Sequence, residues 1–265
     1  MLAFIIPLKA NTGKNWMEEC LNLKQTLKSI CNQNVDTFKV YVVYTDYPEI
    51  DFSSPFVEFV KFPFERCSTE YITSLQKKLN PLFKDIISDN VYDQGKRLLY
   101  GSSIAKKSGF KFVMPVDADD FVSNKLARWV SNHIDEKYGW YIEKGYIKNK
   151  GFKILIKVKK GMYNINCSTH IINVELLPKQ DVNELAPSLI CFFASHGYLQ
   201  ERLRISHGAI LKPIPFFALI YFIHGANWMG YESIFNKNKI KIIMKYILRG
   251  KFINQKIISE FGIGK

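Results

Sequence analysis

The chain has 265 residues, of which 47% are hydrophobic and 23% charged, and a net charge of +13. This composition is typical of a globular protein with room for a full core, and it excludes a disordered chain. The high positive charge indicates an anionic partner: nucleic acid, a phosphorylated substrate or an acidic membrane surface. The five cysteines are scattered and form no CxxC pair, which favours reduced thiols and a cytoplasmic setting.

The first half of the chain alternates apolar strands with amphipathic helices. The predicted elements are strands at 2–8, 38–44 and 56–62, and helices at 16–33 and 93–107. Gly109 follows the second helix as a C-cap. This order, with short links, predicts an α/β fold with a mostly parallel sheet covered by helices. The chain begins with a core-strand pattern and shows no basic segment ahead of a long apolar one, so we expect no signal peptide.

The stretch KFVMPVDADDF at 111–121 combines a buried strand with a cluster of acids. Its apolar run ends at once in Asp117, Asp119 and Asp120. Ligands of open α/β sheets bind at the carboxyl ends of the strands. Carboxylates crowded there repel one another unless a cation lies between them, so we expect a divalent metal that holds a phosphate-bearing substrate. The alternative is that Asp119 or Asp120 caps the helix that begins near Asn124.

The second half of the chain predicts a hairpin, further helices and a basic tail. The predicted elements are a helix at 124–135, a hairpin of strands 138–147 and 152–159, a strand at 170–174, a helix at 195–206 and a strand within 210–223. The chain is thus expected to form one domain over 1–235 and a basic amphipathic segment over 236–265. In that segment lysines surround an apolar stripe, which is typical of a helix on an anionic membrane or of an ordinary surface helix.

An Asp-x-Asp at a strand end also occurs in phosphatases that use an aspartate as nucleophile. Those enzymes place the motif close to the first strand, with Thr or Val at its fifth position. Here Phe121 holds that position, and several strands precede it. The pattern therefore favours a metal clamp, in which Mg²⁺ or Mn²⁺ acts as a Lewis acid on a leaving diphosphate.

Several segments together resemble the glycosyltransferases of the GT-A fold, close to the family 2 enzymes of bacterial polysaccharide synthesis. IIPLK at 5–9 matches an Ile-Pro pair at the end of their first strand, and Thr45-Asp46 ends the second strand, as in the family. DQGKR at 93–97 opens the helix before the strand that ends in DADD. The resemblance implies a GT-A-type sheet with a β-hairpin acceptor half. It also implies donor contacts, which would come from Pro7, Lys9, Asp46, Asp93, Lys96 and Arg97.

The family's pattern for the catalytic base is only partly present. SHGYLQERL at 195–203 keeps the leucines and the arginine in register, but Ser195 and His196 stand where the family has acids. We expect His196 to deprotonate the acceptor hydroxyl, since an imidazole pKa near 6.5 suits that role. A purely structural hydrogen bond is the alternative role of this histidine. Glu201 and Asp181 are the other candidate bases.

His224 follows the apolar strand that precedes Gly225, and many GT-A enzymes have a late histidine beside the diphosphate. The resemblance therefore implies that His224 joins Asp117 and Asp119 as a metal ligand, with a core histidine as the alternative. Lys96 and Arg97 near a helix N-terminus would hold the diphosphate, unless either is simply solvated.

Together these features predict metal-dependent transfer of a sugar from a nucleotide-diphosphate sugar to a hydroxyl of a glycan or lipid-linked acceptor, with inversion if His196 is the base. The enzyme would be cytoplasmic, peripheral on the inner face of the membrane, and would not bind nucleic acid. A nucleotidyltransferase acting on a sugar phosphate could use the same carboxylates, but would need a glycine-rich basic loop after the first strand. A nucleic-acid-binding protein would explain the charge but not the acidic motif.

Overall fold

The computed structural model describes residues 1–13, 15–66, 68–78, 89–179, 192–193, 196–224 and 248–264, without the side chains at 75, 76, 78, 89 and 196. The strands are β1 (Leu2–Pro7), β2 (Phe38–Tyr44), β3 (Val57–Lys61), β4 (Phe112–Pro115), β5 (Phe121–Val122), β6 (Gly139–Tyr141), β7 (Lys144–Asn149), β8 (Ile154–Val158), β9 (His170–Asn173), β10 (Lys212–Pro213), β11 (Phe217–Ile223) and β12 (Gly250–Phe252). The α-helices are α1 (Trp16–Ile30), α2 (Thr69–Lys78), α3 (Asp89–Lys107), α4 (Leu126–Asn132), α5 (His196–His207) and α6 (Gln255–Phe261).

A seven-stranded sheet with the order β10-β6-β9-β4-β1-β2-β3 forms the centre of the molecule. The strands β3, β2, β1 and β4 run parallel, and β9 enters antiparallel to β4. Alternate side chains of β1 point to opposite faces, where Ile5 packs with α3 and Phe4 packs with α1. The mixed α/β fold with a mostly parallel central sheet between helices is confirmed.

One glycine sets the distance between α3 and this sheet. A Cβ atom added to Gly101 would lie 2.7 Å from Cγ2 of Ile5 and 2.8 Å from Cγ2 of Val43. These two β-branched side chains have little freedom about χ1, so they cannot readily move aside. Gly101 therefore allows α3 to lie directly on β1 and β2.

A second, five-stranded sheet has the order β12-β8-β7-β11-β5. The antiparallel pairing of β7 with β8 confirms the expected hairpin. The single strand expected over 138–147 was wrong, because the chain leaves the large sheet after Tyr141 and enters the second sheet at Lys144. Between them, Ile142 donates its N–H to the carbonyl of Thr169, and its side chain fills the core shared by the two sheets.

The described part of the segment 236–265 begins at residue 248. Its strand β12 pairs with β8, and α6 buries Ile257 and Phe261 against the second sheet. Three members of the predicted apolar stripe, Ile240, Ile243 and Ile247, lie outside the described residues, and the fourth, Leu248, is exposed. Within the described residues, none of the helices is both long and apolar enough to cross a bilayer.

Candidate active site

The acidic motif forms the loop that joins the two sheets. β4 ends at Pro115 in the large sheet, and β5 begins at Phe121 in the second. The loop therefore leaves the carboxyl end of a central parallel strand, where open α/β sheets bind their ligands. Asp117 and Asp119 are partly buried, whereas Asp120 is completely buried.

Asp120 is bonded on both of its carboxylate oxygens. Its Oδ2 accepts hydrogen bonds from Oγ of Ser168 (2.6 Å) and from Nδ2 of Asn166 (2.8 Å). Its Oδ1 accepts from the backbone N–H of Phe222 in β11 (3.3 Å). We call Asp120, Asn166 and Ser168 the Asp120 cluster. The expected helix cap was wrong for this residue, because α4 begins after Lys125 and its N-cap makes no side-chain bond.

Ser168 connects the Asp120 cluster to the metal motif. Its Oγ donates to Asp120 and accepts the backbone N–H of Asp117 at 2.8 Å, so one hydroxyl joins both ends of the acidic loop. The N–H of Ser168 donates to Oδ1 of Asn166 at 2.7 Å, which fixes the turn before β9. Each side-chain nitrogen and oxygen atom of the Asp120 cluster thus has a hydrogen-bond partner inside the protein, as buried polar groups require.

Asp117 lies in an environment that opposes its negative charge. Burial and the neighbouring Asp119 raise the pKa of Asp117 to about 7, although the amide of Gln94 donates to its Oδ1 at 2.9 Å. Burial and the neighbouring acids Asp119 and Asp117 hold the pKa of Asp120 well above its usual range. A cation placed among these groups would favour their ionised forms.

His224 meets Asp119 directly. The distance from Nε2 of His224 to Oδ2 of Asp119 is 2.8 Å, and both side chains are largely buried. The amide of Asn22 in α1 lies 3.4 Å from the same Nε2. Asp119 lies just before β5 and His224 just after β11. The antiparallel pairing of β5 with β11 therefore brings together two residues that are 105 positions apart.

These donor atoms fit a hard divalent cation that is completed by its substrate. Within the described residues, no group of three or more His, Cys, Asp or Glu side chains could hold a metal ion, so a bound cation would need further ligands from its substrate and water. Mg²⁺ is ordinarily bound through one or two carboxylates together with substrate phosphates and water. The 2.8 Å between Nε2 of His224 and Oδ2 of Asp119 is the length of a hydrogen bond, which a cation held by both groups would replace.

Three of the residues expected to contact the nucleotide-sugar donor lie at the same edge of the large sheet. Pro7 ends β1, and Asp46 follows β2. Oδ2 of Asp46 accepts the N–H of Asn11 at 2.8 Å, which ties the loop after β1 to the end of β2. Lys9 is exposed and forms an ion pair with Glu19 of α1 at 2.8 Å.

Asp93 and Arg97 are bonded to each other instead of lying open to a ligand. The guanidinium of Arg97 is 3% exposed, donates to Asp93 at 2.8 Å and to Oγ1 of Thr45 at 2.7 Å, and covers the ring of Phe62. Asp93 matches the charge of Arg97, but Nη1 of Arg97 is buried without a hydrogen-bond partner among the described residues, so its contact with a diphosphate stays a prediction. Lys96 lies over the ring of Phe64 at 4.8 Å and is only partly buried.

The helix expected to carry the base begins at His196, whose side chain lies outside the described part of the structure, as does Asp181. Glu201 is exposed on the surface of α5. It pairs with Arg204 on the same helix, and these hydrogen bonds lower the pKa of Glu201. An exposed carboxylate with a lowered pKa is a poor general base, so this arrangement does not support Glu201 in that role.

The buried His170 lies at the same edge, and sequence reasoning missed it. Continuation of the β4–β9 ladder places it opposite Pro115, just before the acidic motif. Thr169 donates its hydroxyl to the carbonyl of Asn166 at 2.8 Å, so it is an acceptor for Nδ1 of His170 at 3.2 Å. Nε2 then faces the amide of Gln200 in α5 at 3.5 Å. No spacing in the sequence relates these residues, which come from different elements.

Comparison with known proteins gives distant structural similarity only. No family model and no curated protein matches the chain. A solved structure of residues 1–349 of S. aureus TarS matches with 13% identity and a TM-score of 0.42, over 94% of this chain and 66% of that one. Another TarS structure contains UDP-GlcNAc; it matches with 13% identity and a TM-score of 0.39, over 94% of this chain and 67% of that one.

Two further structures match over nearly their whole length. The galactosyltransferase LgtC, in complex with donor and acceptor sugar analogues, has 11% identity and a TM-score of 0.45, over 97% of this chain and 98% of that one. A putative nucleotide-diphospho-sugar transferase from Desulfovibrio desulfuricans G20 has 10% identity and a TM-score of 0.37, over 92% and 93%. Because these scores are below 0.5, the functional proposal rests on the geometry of the site.

Proposed function

We propose that this protein is a glycosyltransferase that moves a sugar from a nucleotide-diphosphate sugar to a hydroxyl of a glycan or lipid-linked acceptor. The observation that carries the proposal is the contact of Asp119 with His224 at the carboxyl edge of the sheet, two residues after the half-buried Asp117. Buried carboxylates that repel each other there are costly for the fold, and a site for a cation and its diphosphate ligand accounts for them.

Asp117, Asp119 and His224 would hold Mg²⁺ or Mn²⁺. The ion would supply Lewis-acid stabilisation of the leaving nucleoside diphosphate. Gln94 orients Asp117 through its hydrogen bond, and Asn22 limits the positions that His224 can take. Pro7, Lys9 and Asp46 lie along the same edge, on the side of β1 and β2, where the nucleoside would bind.

The acceptor would approach from the side of α5. We retain His196, the first residue of that helix, as the proposed base. A base on the face of the sugar opposite the diphosphate gives inversion at the anomeric carbon. The link from Gln200 to His170 holds the first turns of α5 against the start of β9, so the helix is fixed relative to the acidic loop.

The positively charged surface suits an anionic acceptor or membrane. Lys144, Lys148 and Lys157 are partly buried on the strands of the β7–β8 hairpin, and the exposed Lys150 at its tip pairs with Glu18 of α1 at 2.6 Å. A lipid-linked acceptor at the inner face of a membrane would present phosphate to this side. We propose this peripheral placement together with the transfer activity, and we propose no role for nucleic acid.

The test is hydrolysis of nucleotide sugars by the purified protein, with a panel of UDP-, GDP- and dTDP-sugars, in Mn²⁺, in Mg²⁺ and in EDTA. We expect turnover of one donor class with metal and none with EDTA. Asp119→Asn should reduce the rate by about 10²-fold or more, as expected when an electrostatic group at the leaving phosphate is lost. The matched control is Asp36→Asn, which changes an exposed carboxylate at the opposite edge, before β2.

Three outcomes would contradict the proposal. Equal turnover in EDTA would exclude the metal clamp. Release of pyrophosphate from a nucleoside triphosphate and a sugar phosphate, without hydrolysis of nucleotide sugars, would indicate a nucleotidyltransferase. Binding of DNA without turnover of any donor would indicate a nucleic-acid-binding protein.

A further inference from the structure

We propose that Ser168 and Asp120 are positioning residues, which hold the ligands of the metal site together without touching the metal themselves. The inference rests on the proposed function, because it concerns the same site. Its basis is that the Asp120 cluster lies where three separate segments converge: the acidic loop after β4, the turn before β9 and the end of β11.

The bond from Phe222 to Asp120 determines where His224 lies. The β5–β11 ladder ends with Phe121 opposite Ile220 and Val122 opposite Leu219. Beyond it, the N–H of Phe222 donates to Oδ1 of Asp120, which keeps β11 beside the acidic loop. His224 is two residues further along, and Asp119 is one residue before Asp120. This bond therefore sets the separation of the two donor atoms, Nε2 and Oδ2.

The bond from Ser168 determines where Asp117 lies. Asp117 has its backbone N–H held by Oγ of Ser168, whose own hydrogen goes to Asp120. Without that hydroxyl, the backbone N–H of Asp117 and one acceptor position of Asp120 would lose their partner. The loop from Asp117 to Asp120 would then be free to widen, and the two proposed carboxylate ligands would move apart.

The chemical cost of this arrangement argues against a role in core packing alone. Asp120 is a completely buried acid that follows two other acids, Asp117 and Asp119, in the same loop. A buried ionic group is often replaced by apolar residues of similar size with no loss of stability. A carboxylate at this position is explained by its three hydrogen bonds, each of which fixes a segment that carries or adjoins a proposed ligand.

The test is the affinity for Mn²⁺ alone, measured from the electron paramagnetic resonance signal of the free ion. Ser168→Ala should raise the dissociation constant by about 10–100-fold, the range typical of partners that orient metal ligands. Ser102→Ala is the matched control, since it removes another fully buried serine hydroxyl, in α3. We expect it to leave the Mn²⁺ affinity unchanged. Asp120→Asn, which keeps the side-chain volume, should weaken binding in the same direction.

The dependence of nucleotide-sugar hydrolysis on Mn²⁺ concentration is a second measurement, and it would not change if Ser168 only stabilised the fold. For Ser168→Ala, the Mn²⁺ concentration at half-maximal rate should rise, and the rate at saturating Mn²⁺ should approach that of the wild type. A folded Ser168→Ala protein with wild-type Mn²⁺ affinity would overturn the inference and leave the proposed function standing. If Ser168→Ala does not fold, Asp120→Asn replaces it, and wild-type Mn²⁺ affinity of folded Asp120→Asn would overturn the inference. Absence of Mn²⁺ binding by the wild type, both alone and with a nucleoside diphosphate present, would overturn both proposals.

Discussion

Replacement of Gly101 by alanine sets two effects of known size against each other. In a helix interior, alanine is more favourable than glycine by about 0.8–1.0 kcal/mol. The added methyl group would lie 2.7 Å from Ile5 and 2.8 Å from Val43, and such overpacking costs about 1–3 kcal/mol. We therefore expect Gly101→Ala to lower the free energy of unfolding by about 1 kcal/mol, the difference between these two effects.

The measurement is urea unfolding followed by circular dichroism, with the slope of the transition unchanged from the wild type. Gly197→Ala is the matched control, because its Cβ would lie 3.6 Å from Asn164, an ordinary contact, in helix α5. We expect this control to be neutral or stabilising. Gly101→Val should destabilise more than Gly101→Ala, since it adds two further carbons to the same contact. Stabilisation by Gly101→Ala would refute the reasoning, because it would mean that α3 does not lie directly on β1 and β2.

Two further predictions concern buried polar contacts. Arg97→Met should destabilise the fold by about 3 kcal/mol in urea unfolding, since it leaves Asp93 partly buried without its cation. Arg204→Met, which removes an exposed ion pair, should leave the stability nearly unchanged, and equal effects of the two substitutions would contradict the burial of Arg97. A double-mutant cycle of His170→Ala and Gln200→Ala should give a coupling of about 0.5–1.5 kcal/mol in the same assay, and additive effects would show that the two side chains do not interact.

The sequence predicted the parallel strands of the large sheet well, because each carries its own signal. The run from Phe112 to Val116 is wholly apolar and ends abruptly, and β1 and β2 share that pattern. Local periodicity was enough to place these strands within one or two residues. The position of the acidic motif at a strand end follows from the same signal. The break at Ile142 was not predictable in this way, since an aromatic and alternating stretch looks the same whether its halves join one sheet or two.

The side chains around the acids could not be predicted, because they come from distant positions. Ser168 and Asn166 lie about 50 residues after Asp120, and Asn22 lies 202 residues before His224. None of them belongs to a recognisable motif, and polar residues of these types are usually found at the surface. The sequence also favoured Arg97 as a ligand for phosphate, because its local pattern does not reveal that Asp93, one turn earlier, accepts its hydrogen bonds.

The long separation between the acidic loop and β11 has a consequence for biosynthesis. Asp119 and Asp120 leave the ribosome more than 100 residues before His224 and Phe222, their partners in β11. At about 5–20 residues per second, the nascent chain carries its acids without these partners for roughly 5–20 s. During that interval β1, β2 and β4 can already pair, but Asp119 and Asp120 cannot yet bond to His224 and Phe222. Completion of the site therefore requires that the chain has been made through His224 and that β11 has docked beside the acidic loop.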